Sequence, residues 1–354
     1  MWTHSKTRKL LVGGVPVGGG SPITVQSMTN TDTKDVDATV EQILSFEKAG
    51  CDLSRSAVNS LEDAKAIPLI KERTHIPFIT DIQFDPALAM YAIENGTDGL
   101  RINPGNIGSH KDLAAIVKVC QAKSIPIRVG VNSGSVHKSM IEKYHGVNEN
   151  SLVFSALEEV KAIEDLGYDQ IAVSIKSSDV RTMVRANRLF AEHSSCPLHL
   201  GVTEAGPQFT GTIKSSVGLG ILLNQEIGDT IRVSITGDPV QEVTIGMEIL
   251  KSLGLRQWGA NLVSCPTCAR TKVDLIGLVG QVEERLKEVD KNITIAVMGC
   301  PVNGPGEARE ADLGIACNKG SGVIFRKGRV IRQLPEDELV DALFEEIEGM
   351  DHED

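Results

Sequence analysis

Four cysteines near the end of the chain have the residue type and spacing of a metal site. Cys265 and Cys268 form a C-x-x-C motif, and Cys300 and Cys317 follow it. Cys265 and Cys300 each precede a proline, an arrangement that recurs in iron–sulfur proteins. The spacing favours an iron–sulfur cluster on three cysteines, with one open iron position. Zinc with Cys317 as a fourth ligand and a free pair of redox thiols remain alternatives.

A second candidate site is made of polar residues that stand at the ends of β-branched runs. They are Arg55, Asp81, Arg101, Asn103, Arg128, Asn132, Lys176, Thr203, Glu204, Arg232 and Ser234. Five of them are cations, and a buried unpaired cation is costly unless an anion accompanies it. The planar fork of arginine matches phosphate oxygens. The set therefore predicts an anionic substrate that carries a diphosphate.

Two acids accompany these cations, and the sequence leaves their roles open. Glu204 follows a late strand and could deliver a proton or pair with an arginine. Asp81 carries the same ambiguity.

Alternating strand and helix patterns predict the elements that position the polar set. Strands are predicted at 23–27, 52–57, 77–82, 98–102, 125–131, 169–175, 197–203 and 229–235. Helices are predicted at 36–49, 61–74, 86–95, 110–122, 151–166, 180–193, 214–227 and 239–253. Eight such units predict a TIM (β/α)8 barrel, whose active site lies at the C-terminal ends of its strands. An open doubly wound sheet is the alternative.

The remaining segments fit around this barrel. Residues 13–20 are rich in glycine and predict a hairpin that plugs the barrel bottom, and residues 132–150 predict a loop on the functional face. We expect a substrate-binding barrel over 1–253, a linker over 254–260 and a small α/β cluster domain over 261–354.

Composition excludes several classes of partner. Lys and Arg number 36 against 47 Asp and Glu, which gives a net charge of −11. Such an acidic chain is a poor candidate for binding nucleic acid or an anionic membrane. No apolar run approaches the roughly 18–20 residues that span a bilayer. We therefore expect a cytoplasmic protein with no nucleic-acid or membrane partner.

Several segments resemble the bacterial two-domain 4-hydroxy-3-methylbut-2-enyl diphosphate synthase family. Residues 261–270 (NLVSCPTCAR) and 297–308 (VMGCPVNGPGEA) resemble the cluster motifs of that family. Residues 100–108, 128–132 and 201–206 resemble further family segments. The resemblance covers essentially the whole chain and leaves no room for the extra middle domain of the plant-type enzymes.

The resemblance implies a [4Fe–4S] cluster held by Cys265, Cys268, Cys300 and Glu307. It also implies that Asn303 lies near the reacting oxygen. Cys317 then becomes a small buried residue rather than a ligand.

The family substrate is 2-C-methyl-D-erythritol 2,4-cyclodiphosphate, which is reductively opened and dehydrated in isoprenoid biosynthesis. The resemblance implies that Glu204 donates a proton to the leaving hydroxyl, and that electrons come from reduced flavodoxin or ferredoxin. The implied substrate-binding residues are Arg55, Asp81, Arg101, Arg128, Asn132, Lys176, Thr203, Arg232 and Ser234. Gln83 departs from the family pattern, because many members carry His there.

The linker predicts a head-to-tail homodimer. About seven residues span at most roughly 25 Å, and the last barrel helix returns to the bottom, opposite the predicted site. A partner's cluster domain could cap each barrel instead, as in the family. Two rival functions are a zinc-dependent phosphate-sugar lyase or aldolase and a non-catalytic iron–sulfur sensor.

Overall fold

The computed structural model describes residues 7–103, 106–300 and 308–350. The chain divides into two compact units, Met1–Arg256 and Gln257–Asp354.

The first unit is built on eight parallel strands that form one sheet. Their bounds are β3 (Thr24–Met28), β4 (Leu53–Ala57), β5 (Phe78–Asp81), β6 (Gly99–Ile102), β7 (Ile127–Asn132), β8 (Ile171–Lys176), β9 (His199–Leu200) and β10 (Thr230–Ile231). The sheet order is β8-β7-β6-β5-β4-β3-β10-β9. A parallel bridge between Val173 and Leu198 joins the two ends of this order. The predicted TIM barrel is confirmed.

The last two strands are much shorter than predicted. Residues 197–203 and 229–235 were expected to be strands, but each forms a regular ladder over only two residues. A Cβ on Gly201 would lie 2.7 Å from the Arg232 carbonyl oxygen, so only glycine fits where these two segments approach each other. One backbone bond persists, from Arg232 to Leu200 at 3.0 Å.

Helices surround the barrel and bury one face each against it. Their bounds are α1 (Val36–Lys48), α2 (Leu61–Lys71), α3 (Pro86–Glu94), α4 (His110–Lys123), α5 (Lys138–Lys143), α6 (Glu149–Glu164), α7 (Val180–His193), α8 (Gln208–Leu223) and α9 (Pro239–Ser252). Capping boxes begin α2 and α4, where Ser60 and Ser109 accept hydrogen bonds from the backbone of the third helical residue. These caps fix where each helix starts after the strand end that precedes it.

An N-terminal hairpin closes the bottom of the barrel, as predicted. Strands β1 (Leu10–Val12) and β2 (Val15–Val17) pair antiparallel across Gly13 and Gly14, which both have positive φ. Val12 and Val17 pack on Leu53 and the buried part of β5. Because Leu53 is the first residue of β4, this apolar plug lies at the N-terminal ends of the strands.

The second unit is a five-stranded mixed sheet with helices. Its strands are β11 (Asn261–Ser264), β12 (Thr294–Met298), β13 (Leu313–Asn318), β14 (Ser321–Arg326) and β15 (Arg329–Pro335), in the order β11-β12-β13-β14-β15. The pairs β11–β12 and β12–β13 are parallel and the others antiparallel. Helices α10 (Leu275–Leu286) and α11 (Leu339–Glu348) bury their apolar faces in its core.

Helix α10 starts at a side-chain cap. It begins at Leu275 because Asp274 caps it, accepting a hydrogen bond from Gly277 N at 3.1 Å. Within the described ranges, no helix combines the length and apolarity that crossing a bilayer requires.

Candidate active site

A cavity of about 230 Å³ opens at the mouth of the barrel, the face formed by the C-terminal strand ends. It is lined by Arg55, Asp81, Gln83, Arg101, Val131, Asn132, Ser174, Lys176, Thr203, Arg232 and Ser234. Eight of these belong to the polar set that the sequence singled out. Parallel strands end at one face, so residues far apart in the sequence meet there.

Asp81 bridges two of the arginines. Its Oδ1 accepts a hydrogen bond from Arg101 Nη1 at 3.0 Å, and its Oδ2 lies 3.6 Å from Arg55 Nε. Burial alone would raise the pKa of Asp81, but the charges of Arg55 and Arg101 outweigh it and hold that pKa below its ordinary value. Asp81 is therefore an ionised partner that orients arginines. Gln83 donates to Asp81 Oδ1 at 2.9 Å, a role for which an amide suffices.

Two partners of these cations were missed in the sequence. Met28, at the end of β3, accepts hydrogen bonds through Sδ from Arg55 Nε at 3.2 Å and Nη2 at 2.8 Å. Glu242, in the first turn of α9, lies 3.5 Å from Arg232 Nη2. The position of Met28 at the end of a strand could have indicated that it lies at the mouth. A methionine, however, is not a residue type that indicates an anion site.

The group of cations at and below the mouth carries more positive charge than the neighbouring acids balance. Arg55, Arg101, Arg128, Lys176 and Arg232 face two carboxylates, those of Asp81 and Glu242. Burial and the neighbouring arginines lower the pKa of Arg55 to about 9 and that of Lys176 well below its usual range. A bound polyanion would relieve this repulsion, so the chemistry of the arrangement suits one.

Two glycines give the cationic side chains their room. A Cβ on Gly130 would lie 2.6 Å from both Nε and Nη2 of Arg101. A Cβ on Gly201 would lie 3.0 Å from Lys176 Nζ. The guanidinium and the ammonium therefore lie directly over bare backbone.

Other predicted residues lie outside the cavity lining. Arg128 is buried below the mouth, and Glu204 is exposed beyond β9 with φ 52°. Asn103 is buried just after β6. Asn303 and Glu307 lie outside the described residues. The segment 132–150, predicted as one loop, contains α5 and the start of α6, because a capping box on Asn148 begins α6 at Glu149.

The segment with α5 is held down by a histidine between two glutamates. His137 Nε2 lies 3.2 Å from Glu159 Oε1, and its Nδ1 lies 3.4 Å from Glu158 Oε2. Pairing with Glu159 is the main cause that raises the pKa of His137. A raised pKa in the folded state means stabilisation that is full below the ordinary histidine pKa and is lost as pH rises through the folded pKa.

We therefore expect backbone amides of residues 137–147 to exchange hydrogen faster at alkaline pH, after correction for the intrinsic rate. The His137→Gln variant should lose this pH dependence and match the alkaline wild type at every pH. A pH dependence that persists in that variant would assign the effect to another group.

The cysteines of the second unit follow neighbouring parallel strands. Ser264 of β11 pairs with Val297 of β12, so Cys265 and Cys300 leave the sheet at the same edge. The amide of Gly299 donates to Cys265 Sγ at 3.3 Å. Cys300 is buried and Cys268 is exposed.

Thiol donors suit a metal cluster, but the structure does not bring the described Cys265, Cys268 and Cys300 together as one ligand group. Among residues 7–103, 106–300 and 308–350, no group of three His, Cys, Asp or Glu side chains is close enough to hold a metal ion. Cys317 lies within the core of the second unit, paired with Gly322 across β13 and β14.

The barrel with its polycationic mouth and the cysteine-bearing second unit define a two-domain TIM-barrel protein with an anion-binding site. The chain belongs to the GcpE family: residues 7–247 match its TIM-barrel domain, and residues 261–349 match its C-terminal domain. A relative from Geobacter sulfurreducens, named 4-hydroxy-3-methylbut-2-en-1-yl diphosphate synthase (flavodoxin), is 54% identical over 97% of this chain and 98% of its own.

Further similarity extends over the whole chain or over the barrel alone. A Clostridium perfringens protein of the same name is 54% identical over 98% of this chain and 99% of its own. The dihydropteroate synthase of Yersinia pestis has a TM-score of 0.50 at 12% identity, over 71% of this chain and all of that structure. At that identity the likeness shows the fold alone.

Proposed function

We propose that the protein is a 4-hydroxy-3-methylbut-2-enyl diphosphate synthase. The substrate 2-C-methyl-D-erythritol 2,4-cyclodiphosphate takes up two electrons and two protons. A C–O bond to the cyclic diphosphate breaks, a hydroxyl leaves as water, and the allylic diphosphate is released. The observation that carries the proposal is the convergence of four cations on one mouth, with Arg128 buried beneath them, in a chain about half identical to synthases of that name.

In this function the barrel residues bind and orient the diphosphate. Arg55, Arg101, Lys176 and Arg232 supply charge-assisted hydrogen bonds, and Asp81 keeps two of the arginines in place. Asn132, Thr203 and Ser234 offer neutral hydrogen-bonding groups in the same cavity. These preorganised donors also stabilise the negative charge that the diphosphate gains as the ring opens.

Glu204 is proposed as the proton donor to the leaving hydroxyl. It lies one residue after Thr203, which lines the cavity, and its backbone has φ 52°. Non-glycine residues rarely adopt this left-handed conformation, and such strain concentrates at functional positions. Asn303 is proposed to lie near the same reacting oxygen.

A [4Fe–4S] cluster on Cys265, Cys268, Cys300 and Glu307 is proposed as the cofactor. The shared sheet edge of Cys265 and Cys300 and the amide bond to Cys265 Sγ support this ligand set. When bound, such a cluster would supply electrons one at a time. A carboxylate binds iron more weakly than a thiolate, so Glu307 would leave an exchangeable position.

The electron donor is proposed to be reduced flavodoxin, the donor in the names of the relatives, with ferredoxin as the alternative.

We propose a head-to-tail homodimer in which the second unit of one chain caps the barrel of its partner. Arg256 donates to Asp52 at 2.5 and 2.7 Å, and Asp52 directly precedes β4. This ion pair fixes the end of the first unit at the barrel bottom, opposite the mouth. The proposed domains are the barrel over 1–253 and the cluster domain over 261–354. A linker over 254–260 that starts at the barrel bottom fits this head-to-tail arrangement.

Helix α8 offers a surface for such a dimer. Phe209, Ile213, Val217 and Ile221 follow one another at four-residue spacing and are 78, 48, 48 and 39% exposed. They form an exposed apolar stripe along α8, the kind of surface that marks an interface with another protein.

Mixing two inactive variants tests the dimer. Arg232→Ala removes a barrel cation and Cys300→Ser removes a cluster ligand, so each homodimer should be inactive. After subunit exchange, a mixed dimer contains one intact barrel facing one intact cluster domain, and activity should return. If a tag pull-down proves that subunits have exchanged and no activity returns, assembly in trans is contradicted.

The function itself is tested under anaerobic conditions. Reconstituted protein should be brown, contain about four irons per chain and convert the cyclodiphosphate to the allylic diphosphate with a strong one-electron reductant. A colourless protein with one zinc would instead support the lyase or aldolase reading. A brown protein that binds no cyclodiphosphate would support the sensor.

A further inference from the structure

Arg128 lies beneath the mouth in a buried polar layer of its own. Its Nη1 donates to Gln26 Oε1 at 2.6 Å and to His199 Nδ1 at 2.8 Å. Its Nε and Nη2 are buried and have no hydrogen-bond partner among the described residues. One edge of the guanidinium fork is therefore fixed, and the other edge is left with unused donors.

The two acceptors come from strands that are distant in sequence. Gln26 is in the middle of β3 and His199 is the first residue of β9. Their exposures are 2 and 3%. A buried amide and a buried imidazole need partners, and the arginine satisfies both of them.

The neutral acceptors of Arg128 affect its charge differently from the way Asp81 affects the charges of Arg55 and Arg101. Asp81 orients Arg55 and Arg101 and also offsets their charge. Gln26 and a neutral His199 orient Arg128 without offsetting its charge. Burial and the charges of Arg55 and Arg101 lower the pKa of Arg128, but an arginine side chain stays protonated in proteins, so Arg128 keeps its positive charge.

The imidazole must remain neutral to accept this hydrogen bond. Burial and the positive charges of Arg128, Lys176, Arg55 and Arg232 hold the pKa of His199 well below its ordinary value. Because Nδ1 is the acceptor, the ring proton is on Nε2.

We infer that Gln26 and His199 are positioning residues that hold Arg128 by Nη1 beneath the mouth, where its positive charge adds to the attraction for the diphosphate of the substrate. This inference rests on the proposed function. A guanidinium held in advance loses little rotamer freedom on binding, so the pair increases affinity without touching the substrate.

The test measures binding of inorganic diphosphate by calorimetry to the full-length protein, together with kcat and KM. His199→Leu removes the acceptor, whereas His199→Asn retains one near the position of Nδ1. We expect His199→Leu to weaken diphosphate binding about tenfold and to raise KM more than it lowers kcat. His199→Asn should recover most of the affinity.

The Arg128→Met background separates positioning from a general structural effect. If His199 acts through Arg128, adding His199→Leu to Arg128→Met should change the dissociation constant by less than about twofold. An equal further loss in that background would overturn the inference. Gln26→Leu provides a second route to the same comparison if His199→Leu folds poorly by circular dichroism.

The outcomes also separate this inference from the proposed function. Wild-type protein that binds diphosphate, with unchanged affinity in both His199→Leu and Gln26→Leu, would overturn the positioning role alone. Wild-type protein that binds neither inorganic diphosphate nor the cyclodiphosphate would overturn the proposed function as well.

Discussion

Replacing Gly130 with alanine is expected to lower kcat/KM about a hundredfold while the melting temperature changes little. The new methyl carbon would lie 2.6 Å from Arg101 Nε and Nη2, so the guanidinium must move away. The added methyl group meets no backbone atom, and the flexible end of the Arg101 side chain can move away at low cost to the stability of the fold. Loss of one buried charged contact to the substrate costs about 2–5 kcal/mol, which covers a hundredfold change.

A matched glycine provides the control. Gly280, in helix α10, has nothing within 4 Å of an added Cβ. Gly280→Ala should leave kcat/KM unchanged and stabilise the helix by up to about 1 kcal/mol. Similar losses of activity in both variants, or unfolding of Gly130→Ala in a thermal melt, would refute the account of Arg101.

Replacing Cys300 with serine is expected to remove the visible chromophore and all detectable turnover. Cys300 is one of three thiols proposed as cluster ligands, and a serine oxygen is a poor substitute for a thiolate on iron. The measurement is iron content and the visible absorption spectrum after anaerobic reconstitution, followed by the assay. The barrel is intact in this variant, so binding of inorganic diphosphate should be unchanged.

Cys317→Ala is the informative control for the cysteines. Cys317 is fully buried in the apolar core of the second unit, and its loss should cost about 1–2 kcal/mol of stability. Iron content and spectrum should match the wild type. A variant that loses its metal would instead favour the zinc alternative, in which Cys317 is the fourth ligand.

The repeating pattern predicted which residues meet at the mouth because strand ends are local features. Four cations lie within or directly after a barrel strand, namely Arg55, Arg101, Lys176 and Arg232, and parallel strands bring their C-terminal ends to one face. The eight-unit count gave the barrel for the same reason.

The roles of individual side chains depend on contacts that no local pattern encodes. From the sequence, Asp81 could be a proton donor or an ion-pair partner. In the structure it pairs with two arginines, which identifies it as an ion-pair partner. Gln26 lies within β3 and His199 begins β9, and the sequence does not distinguish a buried polar residue in such a segment from ordinary core packing. The shortness of β9 and β10 was also hidden, because the residue pattern of 197–203 and 229–235 does not mark where the ladder of hydrogen bonds stops.

The hairpin of β1 and β2 closes the bottom of the barrel with apolar side chains, which leaves the mouth as the end that accepts charged molecules. Beneath Arg128 the barrel interior is lined mainly by Leu10, Val12, Val17, Leu53, Ile79, Leu100, Ile127 and Leu198. This apolar material has low permittivity, so the field of the cations spreads little downward and concentrates toward solvent at the mouth. A dianion would be drawn in from a distance even though the whole chain carries a net charge of −11. Its capture should therefore slow steeply as added salt shortens the range of that field.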